Sequence, residues 1–188
     1  MIRLAILASG NGTNAQQISE YFAGSDKVKV ECIIYNKKDA YVAERARKLG
    51  IPAYYHNRKD FYENGAVLNK LRDMKVDWVI LAGFLWLVPE DMLKAYPNRV
   101  INIHPALLPK YGGKGMYGHH VHEAVIANHE KESGITIHIV DDQYDRGSIL
   151  FQAKCMLTDK DTPDTLAEKI HLLERDYFPV VIEKTVLQ

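Results

Sequence analysis

An amide and an imidazole stand two residues apart at the end of an apolar segment, in the stretch Asn102-Ile103-His104-Pro105. Side chains in a strand alternate between faces, so Asn102 and His104 are expected on one face and Ile103 on the other. A neutral hydrogen-bond donor beside a group that titrates near neutral pH suits a reaction that passes through a negatively charged tetrahedral oxygen. The alternative is a strand end whose amide and imidazole only satisfy nearby backbone groups.

A second candidate group lies in the acidic segment 141–147, which joins two predicted strands. A carboxylate there could reach His104, since the flanking strands are expected to pack near the end of the strand that carries it. An imidazole paired with a carboxylate keeps one tautomer and a raised pKa, as a catalytic acid requires. Asp145 is the choice, although spacing does not select it over Asp141 and Asp142. A solvated acidic loop is the competing interpretation.

The first predicted strand is joined to the first predicted helix by the segment 9–14, Ser-Gly-Asn-Gly-Thr-Asn. Glycines let the backbone approach a ligand, and the first-turn N–H groups of a helix favour an anion. The segment matches neither Gly-x-Gly-x-x-Gly nor a Walker A sequence, which disfavours dinucleotides and nucleoside triphosphates. A monophosphate held by Gly12, Thr13 and Asn14 is the prediction. A purely structural turn with a side-chain N-cap is the alternative.

Several histidines could bind a metal or a ligand. His119, His120 and His122 suggest zinc, but His-x-His without a third ligand is weak support for a site. Helix geometry also separates the faces of residues 120 and 122, so no metal is expected. His138 lies in an alternating strand and is expected to be partly buried, with a ligand role if it faces the same cleft as His104.

Two further features could line a ligand pocket. The segment Leu85-Trp86-Leu87-Val88 offers an apolar wall with free backbone groups, which suits a flat heteroaromatic ring. Its aromatic side chain and that of the preceding Phe84 could equally belong to the core. Glu174, in the last predicted helix, could hydrogen-bond a sugar hydroxyl, and an ordinary exposed helix acid is the competing view.

Hydrophobic periodicity predicts strands that alternate with helices over the first half of the chain. The predicted strands are 3–8, 28–35, 51–56, 77–82 and 100–103, and the helices are one ending at Phe22, 40–49, 65–74 and a short one from Pro89. This alternation indicates right-handed βαβ units and a mainly parallel sheet with helices on both faces. An exposed loop at 112–118, a helix at 120–127, strands at 134–140 and 148–156 and a helix at 163–187, capped by Thr162, complete the chain.

Composition narrows the class of protein. A chain of 188 residues is within the range of one domain. Basic and acidic residues balance at 24 each, so no net field favours nucleic acid or a membrane, and small molecules are the expected partners. No apolar run is long enough to cross a bilayer, and the segment 2–8 reads as a strand rather than a signal peptide. Cys32 and Cys155 stand singly in strand-like segments, as buried reduced thiols in a cytoplasmic protein.

These motifs resemble those of the folate-dependent formyltransferases over nearly the whole chain. The resemblance is carried by 9–14, Ala82-Gly83-Phe84, 102–105 with Leu-Leu-Pro at 107–109, 134–138 and the Asp145 loop. It implies an α/β, single-domain, Rossmann-like formyltransferase fold over 1–188, mainly parallel with an antiparallel C-terminal part. The N-terminal phosphate-binding half covers about 1–100, and the catalytic and folate half covers about 101–188. The Leu108–Pro109 bond is expected to be cis.

The implied reaction is formyl transfer from 10-formyltetrahydrofolate, the co-substrate, to the amine of glycinamide ribonucleotide in de novo purine biosynthesis. Asn102, His104 and Asp145 match the catalytic residues. Gly12, Thr13 and Asn14 match the ribonucleotide site, and Glu174 matches its ribose contact. The folate pocket is matched by Leu85, Trp86, Leu87, Val88, Asn102, His138, Val140 and Asp141. No metal is implied, and a monomer or weak homodimer is expected.

Some positions depart from the family pattern. Trp86 stands where better-known relatives carry a basic residue, the region around Glu63 lacks an arginine, and the 112–122 loop is long and rich in glycine. Lys114 could supply a compensating charge. The rival activities are those of formyltetrahydrofolate hydrolase, methionyl-tRNA formyltransferase and sugar-nucleotide formyltransferase. The first two are expected to need a further domain. A non-catalytic folate- or phosphate-binding module is the alternative from a different class.

Overall fold

The computed structural model describes residues 1–142 and 145–188. Within these residues the strands are β1 (Ile2–Ala8), β2 (Val28–Tyr35), β3 (Ala53–Tyr55), β4 (Trp78–Leu81), β5 (Val100–His104), β6 (Glu132–Ile139) and β7 (Ile149–Met156). They form one sheet in the order β3-β2-β1-β4-β5-β6-β7. Strands β1 to β5 pair in parallel, whereas β6 and β7 are antiparallel. The predicted mainly parallel α/β sheet with an antiparallel C-terminal part is confirmed.

Helices cover both faces of this sheet. They are α1 (Thr13–Tyr21), α2 (Val42–Leu49), α3 (Arg58–Tyr62), α4 (Ala66–Asp73), α5 (Glu90–Ala95), α6 (His119–Ala127) and α7 (Pro163–Val186). The sequence patterns predict no helix at α3, because five residues are too few to display helical periodicity. Its local signal is a capping box, in which the Asp60 backbone N–H donates to Asn57 Oδ1 over 3.0 Å.

The core is divided by the sheet into two apolar layers. On β1, Leu4 and Ile6 pack with α1, α2, α6 and α7, whereas Ala5 and Leu7 pack with α3, α4 and α5. A strand that is buried on both faces needs no polar alternation. This explains why β1 is a continuous apolar run in the sequence.

The cap of α7, the isomer of one peptide bond and the burial of the two cysteines are features predicted from the sequence. Thr162 caps α7, accepting a hydrogen bond from the Thr165 backbone N–H, and the Leu108–Pro109 bond is cis. Cys32 and Cys155 are free thiols, but only Cys32 is fully buried. The prediction of burial is wrong for Cys155 because β7 is the last strand of the sheet. Across the described ranges, no helix combines the length and apolar character of a membrane span.

Candidate active site

A cleft of about 480 Å³ opens where β4 and β5 end. Open α/β sheets bind ligands at the carboxyl ends of their parallel strands. The walls come from most of the segment 81–88, from 102–105 and 113–118, and from Asn14, His122, His138, Val140, Asp145, Ile170, His171 and Glu174. The cleft therefore gathers residues from both halves of the chain around the end of β5.

His104 is the last residue of β5 and is held on both sides of its ring. Its Nε2 lies 2.7 Å from the Tyr111 carbonyl oxygen, and its Nδ1 lies 3.5 Å from Asp145 Oδ2. Because a carbonyl only accepts, we assign the proton of the neutral ring to Nε2. Nδ1 is then the atom that takes up the second proton, facing a carboxylate. Asp145 also accepts a hydrogen bond of 3.0 Å from the Gly113 backbone N–H.

Asn102 contacts His138, a second histidine beside Asp145, with 3.6 Å between His138 Nε2 and Asp145 Oδ1. Asn102 and His138 are directly paired across β5 and β6, and Asn102 Nδ2 lies 3.1 Å from His138 Nε2. The His138 Nδ1 lies 3.0 Å from the Ile139 carbonyl oxygen, so we assign that nitrogen as the donor and Nε2 as the acceptor. The Asn102 amide therefore uses one N–H for His138 and retains a second for a ligand.

Burial dominates the electrostatics of His104, whose exposed fraction is 4%. Desolvation lowers the pKa of the imidazole and outweighs the Asp145 carboxylate and the Tyr111 carbonyl, which raise it. The predicted raised pKa is therefore wrong, because the loss of water around the imidazolium exceeds the attraction of one carboxylate at 3.5 Å. For Asp145, burial acts to raise the pKa, but His138, His104 and the Gly113 N–H together bring it below its ordinary value.

The loop that carries Asp145 depends on a close backbone approach. A Cβ on Gly147 would overlap with the Ile139 carbonyl, so only glycine fits where the segment 141–147 returns to the sheet. Asp145 itself adopts a left-handed backbone with φ of 54°, a conformation that aspartate tolerates better than most residues. Gln143 and Tyr144, the remaining part of the predicted loop, lie outside the described residues.

The N-terminal turn places its backbone close to α2. Gly12 is the residue before α1 and has φ of 77°, and a Cβ at this position would overlap with Val42. Among the described residues no side chain caps α1, and the first-turn N–H groups of Thr13 and Asn14 have no intrahelical acceptor. The alternative of a side-chain N-cap is wrong. Of the three residues predicted to bind phosphate, Asn14 lines the cleft.

Arg45 of α2 is a cation beside this turn that no sequence motif indicates. Its Nε donates to the Asn11 carbonyl oxygen over 2.7 Å and its Nη2 to Asn11 Oδ1 over 3.1 Å, and its Nη1 donates to Gln16. These bonds hold the turn against α2 and add a positive charge near it. Arg45 and Asn11 are 34 positions apart, so no local sequence pattern indicates that they are in contact.

Glu174 and Asn14 form a buried polar pair between α7 and α1. Asn14 Nδ2 donates to Glu174 Oε2 over 3.0 Å, and Glu174 is 9% exposed. The interpretation of Glu174 as an exposed helix acid is therefore wrong. Burial raises the pKa of the Glu174 carboxyl, while the Asn14 amide and His171 oppose the shift. The pair presents a hydrogen-bond acceptor to the cleft next to the N-terminal turn.

The segment Leu85–Val88 lines the cleft as predicted, and its aromatic neighbours also pack into the core. Trp86 lies 6.0 Å from Phe84 between ring centroids, and Phe84 contacts Phe61 of α3. The aromatic side chains therefore line the cleft and pack into the core at the same time. The Arg58 guanidinium carbon lies 5.7 Å from the Trp86 ring centroid, which places a cation beside the position where Trp86 replaces a basic residue of the family pattern. Among the other predicted folate residues, Asn102, His138 and Val140 line the cleft and Asp141 does not.

The glycine-rich loop differs from its prediction. Residues 113–118 form one wall of the cleft, and Met116 packs against the core, so the loop is not simply an exposed connection. Met116 and Tyr117 are the residues whose types could have indicated this packing, since glycine-rich surface loops seldom need large apolar residues. On α6, His122 is buried and lines the cleft while His120 is exposed. Within the part of the chain that the structure describes, no three metal-binding side chains cluster.

Comparison with known proteins adds independent information. A sequence profile described as formyl transferase matches residues 2–182. A chloroplastic phosphoribosylglycinamide formyltransferase of Arabidopsis thaliana is 41% identical over 95% of this chain and 64% of its own length. The Bacillus subtilis phosphoribosylglycinamide formyltransferase is 34% identical over 98% of this chain and 94% of its own length.

Solved structures of related proteins share the fold of this chain. The phosphoribosylglycinamide formyltransferase of Streptococcus pneumoniae superposes with a TM-score of 0.87 at 34% identity, covering 99% of each chain. A glycinamide ribonucleotide transformylase of Symbiobacterium toebii gives 0.88 at 34% identity, covering 97% of this chain and 86% of the other. The chain spans 64% and 60% of the length of two chloroplastic relatives, from Arabidopsis thaliana and Vigna unguiculata.

Proposed function

The chain belongs to the formyl transferase family, and on that premise we propose that it transfers a formyl group from 10-formyltetrahydrofolate to the amine of glycinamide ribonucleotide. The products are formylglycinamide ribonucleotide and tetrahydrofolate, in a step of purine biosynthesis. The observation that carries the proposal is the convergence of Asn102, His104 and Asp145 in a cleft that also contains the Asn14–Glu174 pair. One group of residues suits a reacting carbonyl and the other suits a sugar phosphate.

The proposed reaction begins with attack of the neutral amine on the formyl carbon. The amine lone pair forms the new C–N bond, and the carbonyl electrons move onto oxygen. The second Asn102 N–H donates to this oxyanion, and His104, oriented by the Asp145 carboxylate, is the second group that stabilises its charge. The bond between the formyl carbon and N10 of the folate then breaks. A water guided by Asp145 carries the proton from the attacking nitrogen to N10, so the reaction is neutral overall.

Binding is divided between the two halves of the chain. In the N-terminal half, about 1–100, the N–H groups of Gly12, Thr13 and Asn14 receive the phosphate, next to the cation of Arg45. In the C-terminal half, about 101–188, the buried Glu174 carboxylate accepts hydrogen bonds from the ribose hydroxyls. The folate ring lies against residues 85–88, with Asn102, His138 and Val140 completing its pocket.

One assay tests the proposal against its rivals. The purified chain is incubated with 10-formyltetrahydrofolate and glycinamide ribonucleotide while folate absorbance is followed. Turnover that requires the ribonucleotide supports the proposal. Folate hydrolysis without the ribonucleotide would assign a hydrolase, and turnover only with an amino-sugar nucleotide would assign a different acceptor. Binding of both ligands without turnover would assign a non-catalytic module.

Location and assembly stay predictions. The sequence predicts a cytoplasmic protein, whereas two of its relatives are chloroplastic. A monomer or weak homodimer is expected, and sedimentation of the purified chain at several concentrations measures which form prevails.

A further inference from the structure

His122 is a buried side chain in the cleft that the proposed reaction does not use. It lies on α6 and is 5% exposed, yet it contributes to the cleft wall together with His104, His171 and Glu174. Its Nδ1 is buried and has no hydrogen-bond partner among the described residues. A buried polar atom without a partner costs free energy, so an apolar residue of similar size would stabilise the fold better. The histidine therefore needs an explanation outside the folded chain itself.

The surroundings of His122 determine its protonation state. Burial, with added repulsion from His171, His119 and His104, lowers its pKa to about 4. The ring is thus a neutral imidazole near neutral pH, with one donor and one acceptor. Buried N–H groups without a partner are rarer than buried acceptors without one. We therefore place the proton on Nε2 and the lone pair on the buried Nδ1.

The neighbours of His122 in the cleft wall indicate which part of a ligand it meets. The same wall contains His104, at the reacting carbonyl, and His171, one helical turn before Glu174 on α7. The proposed acceptor is a linear molecule, in which the ribose is followed by an amide, a methylene group and the attacking amine. The amide is the polar group that lies between the ribose and the amine.

We propose that His122 is a specificity-determining residue whose Nε2–H donates a hydrogen bond to the amide carbonyl of the ribonucleotide's glycinamide arm. This inference rests on the proposed function and adds to it the group by which the acceptor is distinguished from other amines. A site built to hydrogen-bond a substrate group rejects an analogue that lacks the group, because its own donor is then left unpaired. An amine attached to a sugar without this amide would accordingly be a poor acceptor.

The test compares His122→Phe with the native chain on two acceptors. One is the carbocyclic ribonucleotide with its amide intact, and the other is the same molecule with the amide carbonyl replaced by methylene. Loss of a buried hydrogen bond predicts that the native chain loses roughly tenfold in kcat/KM when the carbonyl is removed. His122→Phe should lose roughly tenfold on the intact acceptor and show no more than about a threefold further loss on the analogue. The KM for 10-formyltetrahydrofolate should be unchanged.

Two further variants complete the design. His122→Gln places an amide near the position of Nε2 and should recover part of the lost kcat/KM on the intact acceptor, and it replaces His122→Phe if that variant does not fold. His120→Phe removes an exposed histidine from the same helix and should behave as the native chain. Equal kcat/KM for His122→Phe and the native chain, or equal carbonyl dependence in both, would overturn the assignment. Absence of any turnover by the native chain would instead overturn the proposed function.

Discussion

Asn102 donates one amide N–H to His138 and has a second that no other described residue accepts. Asn102→Ala removes the proposed oxyanion donor, so turnover should fall by about two to three orders of magnitude. The fold should change little, with a loss of about 1 kcal/mol because His138 Nε2 loses its donor. Steady-state kcat and a urea unfolding curve measure the two effects. Near-normal turnover in a folded Asn102→Ala would show that the role given to this amide is wrong.

Thr13 tests the phosphate position without touching the reacting groups. Thr13→Glu places a carboxylate at the first residue of α1, where it would repel a bound phosphate. The KM for the ribonucleotide should rise, and the folate KM and the stability should stay near the native values, since an acid at a helix N-terminus does not weaken the helix. Thr13→Gln is the neutral control of the same size. Unchanged ribonucleotide KM in Thr13→Glu would remove the phosphate from this turn.

The junction between α1 and α2 is an element-scale feature, because it depends on how closely a turn approaches a neighbouring helix. Gly12 and Gly24 have nearly the same φ, 77° and 79°, but only at Gly12 would a Cβ meet another residue, Val42. Gly24→Ala should destabilise the fold by about 1 kcal/mol through its backbone alone. Gly12→Ala should cost about 2–4 kcal/mol, because overlap with Val42 is added. Equal unfolding free energies for the two variants would contradict this packing.

Stability against pH is a property of the whole molecule, and two buried histidines of the cleft contribute to it. Burial lowers the pKa of His104, and burial with its neighbours lowers that of His122 to about 4. Between the ordinary value of 6.5 and about 4, the unfolded chain binds more protons than the folded one. The free energy of unfolding therefore falls as pH falls through this range, for His122 by at most about 2 kcal/mol at pH 5.

Urea unfolding at pH 7 and pH 5 measures this dependence. His122→Phe removes one of the two titrating groups, so its loss of stability between these pH values should be smaller than that of the native chain. His120→Phe, which removes an exposed histidine, should retain the native dependence. An identical loss in the native chain and His122→Phe would mean that the His122 imidazole is not held neutral by the fold.

The kind and order of nearly all elements could be predicted from the sequence, because hydrophobic periodicity and caps are local properties of the chain. That Asn102 and His104 share a face could be predicted too, since both lie on one strand. The approach of Asp145 to the imidazole of His104, 41 positions earlier (145 minus 104), depends on the fold, because the distance between them is set by sheet pairing and the return of a loop. The direction of the His104 pKa shift and the position of residues 113–118 in the cleft wall also depend on the fold. Desolvation depends on which atoms surround a group in space, and a linear sequence does not state them.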